Sequence, residues 1–145
     1  MILYLDTSAL VKKYFKESFS EMLVAAWNQA DEVATSAVAY AEALAAIYRK
    51  KRASGPEALA LFDKAMVDFK NDWTGFIRVE VNDGLNDLIR SVLEKHPLRG
   101  FDAIHLASAL LIHERLPNDL IFACFDERLT QSAMGEGLPL LRASM

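Results

Sequence analysis

Short apolar runs and longer stretches with helical spacing alternate along the chain. Residues 2–5, 32–35, 76–81, 120–125 and 138–141 lack the alternation of a half-exposed sheet and read as strands covered on both faces. Between them, apolar residues recur three and four apart over residues 8–16, 20–29, 36–52, 56–71, 83–95 and 102–114, which predicts helices there. Gly55 and Pro56 separate the third of these helices from the fourth. No repeat, low-complexity segment or Ser/Gly-rich linker interrupts this rhythm, so residues 1–145 are expected to form a single domain. Strands that alternate with helices predict an α/β fold. Its expected form is a three-layer α/β/α domain around a central, mainly parallel sheet of about five strands.

Composition narrows this picture. A chain of 145 residues with 52% hydrophobic side chains is the size of one ordinary compact domain. A net charge of −4 excludes a uniformly basic nucleic-acid coat, while leaving room for a local basic rim around an acidic centre. Cys124 is the only cysteine and lies in an apolar run, which excludes a disulfide framework and suggests a reducing compartment. The first residues carry no basic stretch, and no apolar run approaches the roughly 18 residues of a spanning helix. A soluble, cytoplasmic protein with no membrane association is expected.

Four carboxylates then stand out. Asp6, Glu42, Asp102 and Asp126 each sit just after or just inside an apolar stretch, where an unpaired ionised carboxylate costs several kcal/mol. Asp6 follows Ile-Leu-Tyr-Leu and Asp126 follows Ile-Phe-Ala-Cys-Phe. Open α/β sheets bind ligands beyond the carboxyl ends of their strands, where strand order reverses. If the first and fourth strands are neighbours, these two acids emerge side by side. Glu42 has Val38, Ala39, Ala45 and Ala46 as its helical neighbours, which turns it toward the protein. Alternatively, its stem covers apolar surface while its head reaches solvent. Asp102 can be read locally as a helix cap or first-turn acid, and Asp6 and Asp126 as turn or cap residues. The constellation carries the signal that no single member does.

Like charges within a few ångströms of one another stay ionised near neutral pH only when a cation neutralises them. An all-oxygen donor set suits Mg²⁺ or Mn²⁺, whereas zinc calls for His or Cys, and His96, His105 and His113 lack metal spacing. His105, one turn beyond Asp102, is expected to pack or to support the acids from behind. A hard ion held by a few acids is suited to hydrolysis of a phosphodiester.

The segments Tyr-Leu-Asp6-Thr-Ser-Ala-Leu, Ala-Tyr-Ala-Glu42-Ala, Arg-Gly-Phe-Asp102-Ala-Ile-His-Leu-Ala-Ser-Ala and Phe-Asp126-Glu-Arg-Leu occur in this order. Together they resemble the motifs of PIN-domain nucleases of the VapC toxin type, over nearly the whole chain. The resemblance implies a PIN-like fold and a Mg²⁺- or Mn²⁺-dependent endoribonuclease. It also implies a small antitoxin protein that blocks the site, and a homodimer. Asp6, Glu42 and Asp102 correspond to the family's three core acids and Asp126 to the fourth, with Glu127 beside it. Ser8, in the family's Asp-x-Ser element, is expected to support the first acid by a hydrogen bond, to cap the first helix, or both.

Mechanistically, Asp6 and Asp102 are expected to be the principal metal ligands, with Glu42 completing or orienting the shell. Asp126 would support a second ion or position the attacking water. RNA phosphates would be held by Lys12, Lys13 and Lys16, by the cluster Arg49, Lys50, Lys51 and Arg52, and by Arg99, although the cluster equally suits a helix C-terminus facing water. Two other classes remain open. One is a catalytically silent PIN-like module that binds RNA or protein. The other is a haloacid-dehalogenase-like Mg-dependent phosphatase, whose second acid would fall where this chain has Ser8. Trp27, Phe62, Phe69, Trp73 and Phe76 are expected in the core.

Overall fold

The computed structural model describes residues 1–141. Among them, strands β1 (Ile2–Leu5), β2 (Glu32–Ser36), β3 (Ile77–Val79) and β4 (Leu120–Ala123) form one parallel sheet in the order β3-β2-β1-β4. The helices are α1 (Thr7–Val11), α2 (Ser20–Gln29), α3 (Ala39–Ala53), α4 (Leu59–Trp73), α5 (Asp83–Lys95), α6 (Gly100–Arg115) and α7 (Glu127–Gly135).

The missing alternation in the strand sequences has a simple cause: both faces of the sheet are buried. Leu3, Leu5, Val33 and Ala123 pack with Leu10, Leu23, Ile47, Phe62 and Phe69 from α1 to α4. On the opposite face, Ile2, Tyr4, Ala34, Leu120 and Phe122 pack with Val92, Leu106, Leu110, Leu129 and Ala133 from α5, α6 and α7. The three-layer α/β/α architecture follows from this division.

Several elements depart from the sequence expectation. The fifth strand at residues 138–141 is reduced to one bridge between Leu140 and Phe122, with Phe122 N donating to Pro139 O at 2.8 Å and Leu141 N to Phe122 O at 2.9 Å. Pro139 has no N–H with which to extend the ladder. β3 spans only residues 77–79 of the expected 76–81; Phe76, buried at 8% exposure, still belongs to the turn after α4, where its N–H donates to Trp73 O at 3.3 Å. The first helix ends at Val11, well short of residue 16, and the fourth opens with a 3-10 turn at Pro56–Ala58. α7 was not expected at all. Its N-cap is Asp126, and Leu129 and Ala133, one turn apart, are both fully buried. No helix among the described residues is long and apolar enough to cross a membrane.

The adjacency of β1 and β4 places the site. Leu5 pairs with Ala123, and Asp6 N extends the ladder by donating to Ala123 O at 3.2 Å. The chain runs outward from β1 through β2 to β3, then returns across the sheet to β4. The order therefore reverses between β1 and β4, and the crevice lies beyond their ends.

Phe122 is fully buried at the centre of β4, with its ring 5.4 Å from that of Tyr4. Phe122→Ala should lower the unfolding free energy by about 3–5 kcal/mol in a urea titration; a loss under about 1 kcal/mol would contradict this packing.

Candidate active site

Asp6 leaves the end of β1 with extended backbone and caps α1, accepting from Ala9 N at 2.9 Å. Ser8 Oγ donates to the same carboxylate, at 2.7 Å to Oδ1 and 3.0 Å to Oδ2. Ser8 Oγ also accepts from Phe125 N at 3.3 Å, which ties the first acid to the segment that carries the last. Only 4% of Asp6 is exposed. Burial raises its carboxyl to about 6; His105, the Ala9 N–H and Ser8 counter that rise in part, and the charge of Asp102 adds to it.

Glu42 lies in the first turn of α3, one turn from the buried Ala39 and beside the buried Ala43. Its Oε1 accepts from Thr7 Oγ1 at 2.7 Å and lies 3.0 Å from His105 Nε2. His105 Nδ1 is 2.9 Å from the Tyr4 hydroxyl. An ionised Glu42 can only accept, so Nε2 carries a proton; in the neutral ring Nδ1 then accepts from Tyr4. Burial works against the ionised form of Glu42, but the hydrogen bonds from His105 and Thr7 prevail and hold its carboxyl below the usual range. A quarter of the Glu42 side chain, 25%, remains exposed, so both sequence readings hold part of the truth. One oxygen is taken up inside while the head still borders a cleft. His105 is the supporting residue behind the acids, joining β1, α3 and α6.

Asp102 lies in the first turn of α6 but does not cap it; Arg99 occupies the cap position and makes no side-chain cap bond. Burial raises the Asp102 carboxyl, and the charges of Asp126 and Glu42 raise it further against the opposing pull of His105 and Arg99. Asp126 is exposed and caps α7 through Leu129 N at 2.8 Å. Glu127 is the first residue of α7 and is also exposed. The four acids thus converge. Among the described residues, the lysine and arginine ion pairs go instead to Glu17, Asp72, Asp68, Glu94 and Glu136.

No three His, Cys, Asp or Glu side chains among the described residues stand close enough together to enclose an ion as they are. In donor chemistry, however, the set fits a hard divalent cation: oxygen only, two members raised by burial and neighbouring carboxylates, and none in an ion pair with a lysine or arginine among the described residues. Asp6, Asp102, Glu42 and Asp126 are the residues that could hold one.

Open clefts flank the acids. One, of about 630 Å³, is bordered by Arg99, Asp102, Asp126, Glu127 and Arg128. The other, of about 650 Å³, is bordered by Ser8, Lys12, Glu42, Arg49, Phe125 and Asp126. Asp126 belongs to both. Lys12 and Arg49 therefore face the acids on one side and Arg99 on the other. Lys13 does not: its ammonium pairs with Asp72 at 2.6 Å and lies 4.1 Å from the Trp27 ring centroid. Lys16, Lys51 and Arg52 border neither cleft. Arg128 and Thr7 were missed by the sequence reading. Arg128 becomes visible only once α7 is known to start after Asp126, and Thr7 sits unremarked inside Asp-Thr-Ser.

The sequence matches the PIN domain family over residues 3–133. It is 30% identical to Ribonuclease VapC45 of Mycobacterium tuberculosis (strain CDC 1551 / Oshkosh), over 99% of this chain and 97% of that protein. It is 32% identical to Ribonuclease VapC46 of Mycobacterium tuberculosis (strain ATCC 25618 / H37Rv), over 98% of each. The structure of FitAcB from Neisseria gonorrhoeae superposes with a TM-score of 0.68 at 17% identity, over 98% of this chain and 97% of that one, which shows a shared fold.

Asp6 ionises near 3.8 in the unfolded chain and near 6 in the folded one. Between those values the folded state holds the extra proton, so this group's contribution makes stability fall as pH rises through the window. In chelator, Asp6→Asn should therefore be more stable than wild type at pH 7 by about 2–3 kcal/mol, and should lose most of that advantage near pH 4. Denaturant titrations at the two pH values measure it; a wild type as stable as the variant at pH 7 would contradict it.

Proposed function

The chain belongs to the PIN-domain family, and we propose that it is a divalent-metal-dependent endoribonuclease, the toxin of a VapBC-type toxin–antitoxin pair. The observation that carries the reading is the convergence of Asp6, Glu42, Asp102 and Asp126 at the β1/β4 crevice, flanked by clefts that carry Lys12 and Arg49 on one side and Arg99 and Arg128 on the other. Relatives about as long as this chain, at 30% and 32% identity, are ribonucleases.

Asp6 and Asp102 are the principal ligands for Mg²⁺ or Mn²⁺ in this reading, with Glu42 completing or orienting the shell and Asp126 contributing at the rim. When bound, such an ion neutralises charge on the phosphodiester and makes water a competent nucleophile near neutral pH. The protein's part is to keep the acids in place. Ser8 and the Ala9 N–H fix Asp6; Thr7 and His105 fix one oxygen of Glu42; Tyr4 fixes His105. Asp126, exposed between the clefts, either supports a second ion or orients the attacking water. Arg99 and Arg128 on one side, and Lys12 and Arg49 on the other, hold phosphates of the strand.

A small antitoxin that blocks this site and a second copy of the chain are the proposed protein partners, and cytoplasmic RNA the proposed substrate. Ser8 spends its hydroxyl on Asp6, and it stands where a dehalogenase-like phosphatase needs its second acid. That leaves the phosphatase reading without its chemistry.

Asp6→Asn and Asp102→Asn should each abolish Mn²⁺-dependent cleavage of labelled RNA while the circular dichroism stays that of wild type. Full activity in either would sink the assignment. His105→Gln removes the partner of Glu42 and the pull on Asp6 and Asp102, and should cost about 10–100-fold in cleavage. Arg99→Ala and Arg128→Ala should each weaken RNA binding and reduce the slope of log affinity against log salt by about one; an unchanged slope would remove that arginine from the RNA path.

A further inference from the structure

Phe19 is conspicuous in the turn before α2. It is the one non-glycine residue among the described positions with positive φ, at φ 69 and ψ 5. An L-residue with a Cβ adopts this left-handed region at a cost, and glycine would serve the turn better. Nor does the side chain repay the core, since 53% of the residue is exposed. Its ring lies parallel to that of Phe125, with centroids 5.4 Å apart and planes 13° from parallel. Phe125 borders the cleft of Ser8, Glu42 and Asp126, and its backbone N–H is held by Ser8, the residue that also holds Asp6. Lys12 Nζ lies 4.9 Å from the centroid of the Phe125 ring. An aromatic pair, fixed to the acid cluster at one end and open to solvent at the other, stands beside the cations of the same cleft.

We propose that Phe19, stacked on Phe125, forms a base-stacking subsite that takes an unpaired base of single-stranded RNA crossing the cleft between Lys12 and Asp126. The proposal rests on the ribonuclease reading of that cleft and adds the residues that would hold a base there. Bases inside a duplex are stacked on one another and cannot reach a protein ring without unpairing, so the subsite selects unpaired strands. Every base has a π-face, so it does so with little regard to sequence. Arg49 borders the same cleft and would take a phosphate beside the stacked base, as would Lys12 once released from its ion pair with Glu17.

The test compares wild type, Phe19→Ala and Phe19→Trp on one oligoribonucleotide, single-stranded and annealed to its complement. Phe19→Ala should raise KM for the single strand about 5- to 100-fold with kcat within about twofold, and Phe19→Trp should restore KM. Wild type should strongly prefer the single strand. Binding is read separately by fluorescence anisotropy with the cleavage-deficient Asp102→Asn protein, with and without Phe19→Ala, and the same loss of affinity is expected there. An unchanged KM and affinity in Phe19→Ala, or equal cleavage of the duplex, overturns the subsite. So does a Phe19→Ala protein that keeps its RNA affinity but loses a protein partner that copurifies with wild type. Absence of any cleavage by wild type instead defeats the ribonuclease reading, and the anisotropy arms still decide the stacking.

Discussion

The burial of Asp6 and Asp102 beside other carboxylates is the constraint to which the rest of the structure answers. With only 4% of Asp6 exposed, burial raises its proton affinity and that of Asp102, neighbouring carboxylates raise both further, and the fold that buries them is disfavoured by that much. The protein counters this with directed hydrogen bonds and with the pull of His105 and Arg99, without a lysine or arginine ion pair to any of the four acids among the described residues. Asp6 accepts from a helix N-terminus and from Ser8; Glu42 accepts from Thr7 and is paired with His105. A lysine or arginine in their place would stabilise the empty crevice and compete with the ion proposed to occupy it. The cost left in Asp6 is the trade between stability and function that the proposed ion site would entail.

The sheet makes this arrangement possible. Because β1 is central and covered on both faces, alternate residues serve different ends. Tyr4 points into the α6 layer, where it holds His105, while Leu3 and Leu5 seal the other layer. Its neighbour β4 ends at the same level, so the segments following the two strands run out together. Ser8 exploits that proximity by bonding both Asp6 and the Phe125 backbone.

Charge is organised on the same plan. A net charge of −4 hides a local pattern in which acids fill the middle of a groove and cations line its flanks. Not every cation near Asp6 in sequence borders these clefts. Lys13 is one residue from Lys12, yet its ammonium is committed to Asp72 and the face of Trp27. Glu17 bridges Lys12 and Lys50, and all three border the second cleft.

Much of this was legible in the residues alone. Apolar runs without alternation announced a parallel, doubly covered sheet, and 3.6-residue spacing located most of the helices, because burial and periodicity are written locally. The four acids stood out for the same reason: a charge inside an apolar stretch is costly wherever it occurs. α7 escaped notice because its signal is two buried positions and a cap in a short segment, and the fifth strand was overread because Pro139 limits it to a bridge. The placing of β4 against β1, the relay from Tyr4 through His105 to Glu42, and the separate pairings of Lys12 with Glu17 and Lys13 with Asp72 were decided only in three dimensions. Strand order and the partner of a long side chain depend on which surfaces meet after folding, and residues about a hundred positions apart, such as Tyr4 and His105, carry no local trace of their contact.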